Sequence, residues 1–200
     1  MTVKVFERIA GNLVSNGTIS AEDKEIYEYG LKRIATTILN AVTTLIIGFI
    51  FCMIWQSILF MVSYVPLRSY VGGYHARTPL RCYIFSIILT VCVLLSIKYI
   101  PHNNILFYAL TIISGAVVFV FAPIGDENKP LDETEIKVFK KRTKIILFTE
   151  IVLIILFLIL KLNFISTCLI ISLVCASFML ILSVLKSVII KSKNRNIKII

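Results

Sequence analysis

Residues 34–67 read IATTILNAVTTLIIGFIFCMIWQSILFMVSYVPL, a run of 34 positions without a charged side chain. A helix crossing a bilayer needs roughly 20 apolar residues, within a range of about 17–25. The run is too long for one simple span and about right for two short ones. Its candidate breaks are Gly48 and the polar patch Trp55-Gln56-Ser57. Further on, Tyr83–Ile97, Ile105–Ala122, Ile145–Leu160 and Phe164–Leu185 each fit one helix. Dividing the first run therefore gives six spans, and leaving it whole gives five.

The basic residues choose between the two. With six spans, 1–33, 68–82, 122–144 and the C-terminal tail share one side, which then holds all Lys and Arg except Lys98 and Lys161. That is nineteen of 21 basic residues, against fourteen when the run is a single span. Basic residues concentrate in cytoplasmic loops, so the expected fold is all-α: a polytopic membrane helix bundle of about six transmembrane helices, both termini cytoplasmic, in the cell membrane.

Composition agrees. The chain has 200 residues, 58% hydrophobic and 16% charged, where soluble domains run at about 45–50% and about 25%. A net charge of +10 would otherwise suggest nucleic acid, but no RNP sequence, zinc finger or aromatic-basic pattern accompanies it. The expected partners exclude nucleic acid and include the lipid bilayer. Five cysteines without CxxC spacing give neither a disulfide framework nor a zinc ribbon. The N-terminus lacks an apolar h-region, so no cleavable signal is expected.

Residues 1–33 read as amphipathic cytoplasmic or interfacial helices. Phe6, Ile9, Ala10 and Leu13 form one apolar stripe, interrupted at Asn16-Gly17, and Ser20 is placed to cap a second helix. The stripe suits a solvated cap, an interfacial helix or a docking surface for a peptide. Residues 34–190 would hold the bundle, with a polar loop at 68–82 and a basic cytoplasmic loop at 122–144. Residues 191–200 would be a basic tail beside anionic lipid.

The polar loop is Arg68-Ser-Tyr-Val-Gly-Gly-Tyr-His-Ala-Arg-Thr-Pro-Leu-Arg-Cys82. It joins one of two histidines to the only cysteine in a polar setting. An imidazole can take the thiol proton and later protonate a leaving amine. On one continuous helix, seven residues would separate the two by about 10 Å along the axis. Gly72-Gly73 and Thr78-Pro79 argue against continuity: Thr78 reads as an N-cap and Pro79 as the first helical position. Cys82 then falls fourth in the next helix, and His75 on the preceding turn is free to fold back. A helix N-terminus with cations nearby favours thiolate, and Arg68, Arg77 and Arg81 are the cations available. Equally, the pair is incidental and the arginines are only topology charges. Two ligands fall short of the three or four that zinc expects, so no metal and no cofactor is expected.

The loop resembles the central motif of the accessory gene regulator B (AgrB) family, membrane peptidases that mature quorum-sensing peptides. The matching residues are Arg68, Gly72-Gly73, His75 and Cys82. Ala122-Pro123 with Asn128-Lys129-Pro130, and Tyr29-Gly30-Leu31, match as well. The resemblance implies a cysteine endopeptidase in which Cys82 is the nucleophile, His75 the general base and acid, and Gly72 and Gly73 shape the turn. It further implies a small precursor peptide of the AgrD type as substrate, cleaved on its C-terminal side and closed to a thiolactone or lactone. A homodimer is the family's suggestion, although no GxxxG pattern occurs here. Lys129 and the basic residues 137–144 hold an acidic precursor tail or serve only as topology signals. Glu150, the one acidic residue within a span, is either a functional carboxylate or the ion-pair partner of Lys144 or Arg142. The rivals from other classes are a non-enzymatic exporter and a peptide-binding assembly factor.

The topology has a direct test. In a background with the native cysteines replaced by serine, a membrane-impermeant maleimide added to intact cells should label Lys98→Cys and Lys161→Cys. It should leave Lys140→Cys and Lys191→Cys unlabelled.

Overall fold

A computed structural model describes residues 3–72, 79–101, 103–125 and 132–197. Seven helices are present among them: α1 (Val3–Ser15), α2 (Lys24–Ile50), α3 (Ile54–Val71), α4 (Pro79–Tyr99), α5 (Asn104–Phe121), α6 (Glu133–Ile159) and α7 (Asn163–Ile197). The chain divides into two compact units, Met1–Ile46 and Ile47–Ile200.

In the first unit, α1 carries the expected apolar stripe and buries Ala10. It stops where Gly17 turns left-handed at φ +69°, a conformation glycine adopts without a Cβ penalty. Ser20 caps a single turn rather than a helix: its Oγ accepts from Asp23 N at 3.2 Å, and α2 begins only at Lys24. From there α2 runs unbroken past residue 33. Thr36, Thr37 and Thr43 return their hydroxyls to the carbonyls four residues earlier, at 2.8–2.9 Å, so this apolar helix carries them without stranded donors.

The long apolar run is indeed two helices. The break lies between its two candidate sites, at residues 51–53, where Cys52 takes φ +55° and Met53 N donates back to Gly48 O at 2.7 Å. Gly48 lets the chain fold this tightly: a Cβ there would lie 2.8 Å from Ser57 Cβ. Lys161, at φ +56°, closes the turn between α6 and α7 in the same way.

Within the second unit α7 is the central helix, packed on α3, α4, α5 and α6. Buried side chains account for 61% of its most apolar window, against 17% in α4 and 28% in α5. Leu67, Val71, Phe107, Val118, Leu147 and Ile154 close over Ile170, Leu173 and Leu180. Large apolar side chains face outward while small hydroxyl-bearing ones lie inside. Ile105, Ile112 and Phe148 are at least 70% exposed, while Ser57, Thr111, Ser114, Ser166 and Ser172 are buried. A water-soluble bundle does the opposite; this arrangement suits lipid as solvent. By length and composition α2, α4, α5 and α7 qualify as membrane spans. Helices α3 and α6 carry Arg68, Glu150 and a basic segment, and are held to the bundle by α7. The fold is a helical membrane bundle.

Helices α3 to α7 run alternately between two ends. Residues 51–53, Ile97, Ile100, Asn163, Phe164 and Thr167 line one shallow hollow; Gly72 meets Ile124 at the opposite end. The segment expected as a loop at 122–144 is helical from Glu133. Asp132 Oδ1 accepts from Glu133 N at 2.7 Å, and Glu135 Oε2 accepts from Asp132 N at 3.3 Å, a capping box that starts α6 three turns early. Likewise α7 continues to Ile197, through most of the expected tail.

Glu150 departs from its expected ion pair. It is 5% exposed and faces inward. Ser63 and Ser172 both donate to its Oε1, at 2.5 and 2.6 Å. Arg142 lies instead over the Tyr70 ring and Lys144 over Phe119. The reason is register. Glu150 is seven residues past Thr143 on the same inward stripe as Leu147 and Ile154, whereas Lys144 is one position round the helix from it. Ser63 lies nine residues after Ile54, Ser172 nine after Asn163 and Glu150 nine before Ile159. All three therefore sit about 13–14 Å from the same end, at 1.5 Å per residue, and bind α3, α6 and α7 at one level.

Losing one hydroxyl removes an interhelical bond and should cost about 1–2 kcal/mol in Ser63→Ala or Ser172→Ala. Glu150→Lys buries an unpaired cation and should cost more than about 3 kcal/mol. Thermal unfolding in detergent micelles measures both.

Candidate active site

Helix α4 begins at Pro79, whose missing N–H falls where a helix needs none. Cys82 is consequently its fourth residue. It is a free, half-buried thiol one turn from the positive end of the helix dipole. Arg81 beside it is exposed. Gly73, His75 and Arg77, with Lys129 of the other motif segment, lie outside the described residues.

Helix α3 delivers the other wall. It ends at Val71, and Gly72 leaves it at φ +80°, ψ −154°, a conformation that disfavours any residue with a Cβ. Here two segments 52 positions apart in sequence meet. Gly72 and Ile124 form a single parallel β-bridge, and Ile124 N donates to Val71 O at 3.2 Å. The backbones are so close that a Cβ on Gly72 would overlap the Ile124 carbonyl, with the carbonyl carbon only 3.1 Å away. The approaching segment is Pro123-Ile124-Gly125, entered through a cis Ala122–Pro123 bond. Arg68, one turn before Gly72, donates from Nη1 to the Gly72 carbonyl.

Sequence reasoning overlooked what lies beneath. Tyr64, one turn before Arg68 on α3, stacks on Phe60 with ring centroids 5.0 Å apart and packs against the apolar core. Its tyrosine-to-arginine spacing of four is a helical-face signal, but inside an apolar run it reads as ordinary packing. Tyr70 was likewise unremarked. Arg142 Nη1 donates to its hydroxyl at 2.9 Å with the guanidinium 5.3 Å from the ring centroid, and Phe139 meets the ring edge-on at 5.7 Å. These contacts pin the basic first turns of α6 two residues from Gly72. Lys137, Lys140, Lys141 and Lys144 are all exposed there. Glu150, by contrast, sits at the level of Ser63, which is eight residues, or about 12 Å, deeper than Val71.

The family profile for Accessory gene regulator B matches residues 6–180. The chain belongs to the AgrB family. An AgrB-like protein 2 of Clostridium perfringens strain 13 is 30% identical over 175 residues, covering 78% of this chain and 79% of the relative. An AgrB-like protein of C. perfringens strain SM101 is 33% identical over 152 residues, covering 68% and 69%. One from Listeria monocytogenes HCC23 is 28% identical over 147 residues, covering 72% of each. No solved structure gives a significant match. Membership in the AgrB family supports a role in the membrane related to quorum sensing.

The Gly72–Ile124 contact separates two kinds of glycine cost. Gly17→Ala meets open space and only a positive φ, so it should lose about 1 kcal/mol. Gly72→Ala adds a backbone overlap to the same strain and should lose more than about 2 kcal/mol. Thermal unfolding of the two variants side by side checks the difference.

Proposed function

We propose that this AgrB-family chain is a six-crossing membrane cysteine endopeptidase with cytoplasmic termini. On this reading it cleaves a small AgrD-type precursor peptide on its C-terminal side and promotes closure of a thiolactone or lactone autoinducer. The observation that carries the reading is the main-chain contact of Gly72 with Ile124. It brings the two segments that resemble the family motif to one end of the bundle, the end at which Cys82 opens α4.

In this mechanism His75 takes the proton of the Cys82 thiol, and the thiolate attacks the scissile carbonyl. The tetrahedral adduct collapses, the C–N bond breaks, and imidazolium returns the proton to the departing amine. The N-terminal part of the precursor stays on Cys82 as a thioester. A precursor cysteine or serine then attacks that carbonyl. Cys82 leaves as thiolate and regains a proton, and the ring is closed. With a cysteine, one thioester replaces another, so the exchange is nearly balanced; shielding from water favours it over hydrolysis. The α4 N-terminus supports the thiolate. The lysines of α6, held beside Gly72 by Arg142 and Tyr70, suit an acidic precursor tail. Gly73, Arg77 and Arg81 belong to the same loop, with the glycine shaping the turn and the arginines adding positive charge.

With purified protein in liposomes and synthetic precursor, Cys82→Ala and His75→Ala should each lower cleavage at least about a thousandfold. Mass spectrometry of wild-type protein quenched early should find a peptide adduct on Cys82. Cleavage at the wild-type rate in either variant overturns the mechanism. Charge reversal at Lys140 and Lys141 should raise KM for an acidic precursor and leave kcat within about twofold.

A further inference from the structure

The hollow at the end opposite Gly72 measures about 430 Å³, within the range of about 300–1,000 Å³ for small-ligand sites. Three helix ends form it. Gln56 is the third residue of α3, Lys98 the last but one of α4 and Asn163 the first of α7. Between these polar groups the wall is apolar, with Ile97 and Phe164. Lys98 and Lys161 are the basic residues of this end, and Lys161 stands in the α6–α7 turn two positions before Asn163. Within the second unit no carboxylate is at hand to neutralise them. The sequence holds no Asp or Glu from Ile47 to Phe121, and after Glu135 it holds only Glu150. The acidic residues from 126 to 135 connect Gly125 to the start of α6, at the other end. Glu150, nine residues before Ile159, is buried about 13–14 Å from this end. Two aromatic side chains beside the hollow face outward. Trp55 is 69% and Tyr99 71% exposed, and Lys98 Nζ lies 5.6 Å from the Tyr99 ring centroid. Tryptophan and tyrosine gather at the headgroup level of a bilayer, so the hollow opens at the depth where lipid phosphates lie.

We propose that this hollow binds the headgroup of an anionic phospholipid. Lys98 meets the phosphodiester charge, the side-chain amides of Gln56 and Asn163 donate to its oxygens, and the upper methylenes of the chains lie on Ile97 and Phe164. Charge selects this occupant: two lysines without a counter-ion attract an anion, and the leaflet supplies one already held at the right depth. A phosphate tied to acyl chains also uses the apolar wall, which a free anion does not. The bound headgroup joins α4 to α3 and α7. Helix α4 buries only 17% of its most apolar window and carries Cys82 near its other end, so a tie here steadies it from a distance. The site stands whether or not the chain is a peptidase.

Trp55 is the only tryptophan, and its fluorescence reports on the hollow. The full chain is reconstituted in vesicles of phosphatidylcholine and phosphatidylglycerol at equal mole fraction, with one lipid or the other brominated on its chains. In wild type, brominated phosphatidylglycerol should quench Trp55 as though enriched about fivefold over brominated phosphatidylcholine, the weight of one lysine beside an anionic headgroup. Lys98→Gln should reduce the enrichment below about twofold, while Lys98→Arg and Lys161→Gln should each keep at least about threefold. Equal quenching by the two lipids in wild type, or an enrichment that survives Lys98→Gln, overturns the proposal. So does an equal loss in Lys161→Gln, which marks a diffuse field rather than a site. Sodium phosphate in place of chloride at constant ionic strength should leave the enrichment unchanged; its loss marks a site for free anions and overturns the lipid as occupant. Thermal unfolding in pure phosphatidylcholine checks that Lys98→Gln is folded. If it is not, Gln56→Ala takes its place, and an undiminished enrichment there overturns the proposal.

Discussion

A bilayer offers no water to a polar group, and the bundle is organised by that constraint. Backbone amides are satisfied within helices; threonines and serines return their hydroxyls to carbonyls one turn back. Glu150 cannot do this alone. It recruits Ser63 and Ser172 from two other helices, and the three residues lie at one level because each is nine positions from the same helix end. The carboxylate is thus a registration device for α3, α6 and α7. With α7 held centrally, the remaining apolar surface is turned outward, where lipid tails solvate it as well as protein would.

From this frame the chemistry-bearing end follows by local rules. Helix α3 must end where a glycine can take a left-handed φ, and α4 must start where a proline costs no hydrogen bond. Between those two points the chain is polar, basic and short. The AgrB-family resemblance falls on these residues because they form the stretch in which the membrane constraint is lifted.

Much of this was legible in the sequence, and the reasons are specific. The division of the 34–67 run into two helices was legible because 34 uncharged residues exceed the length of one span. Cys82 could be placed in the first turn of α4 because Pro79 fixes where that turn begins. The exact break at 51–53 was not legible: it is made by Cys52 in a left-handed conformation that its residue type does not advertise, with the Ser57 side chain packed against Gly48 too closely for a Cβ there. The inward turn of Glu150 was misjudged because nearness in sequence to Lys144 suggested a pair that helical register forbids. The start of α6 was placed too late because a basic segment reads as a loop until its capping box is noticed. The meeting of Gly72 with Ile124 left no local trace, since it joins main-chain atoms across 52 positions.

That last contact distributes evolutionary freedom unevenly between its halves. Ile124 contributes its amide and carbonyl, and its side chain only rests against the apolar cluster, so any apolar residue of similar size preserves the pairing. Gly72 contributes the absence of a side chain, which no substitution reproduces. Relatives should therefore drift at the position of Ile124 while keeping glycine opposite it. A comparison of sequences would then record an isolated invariant glycine, when the object being inherited is a junction of two chain segments.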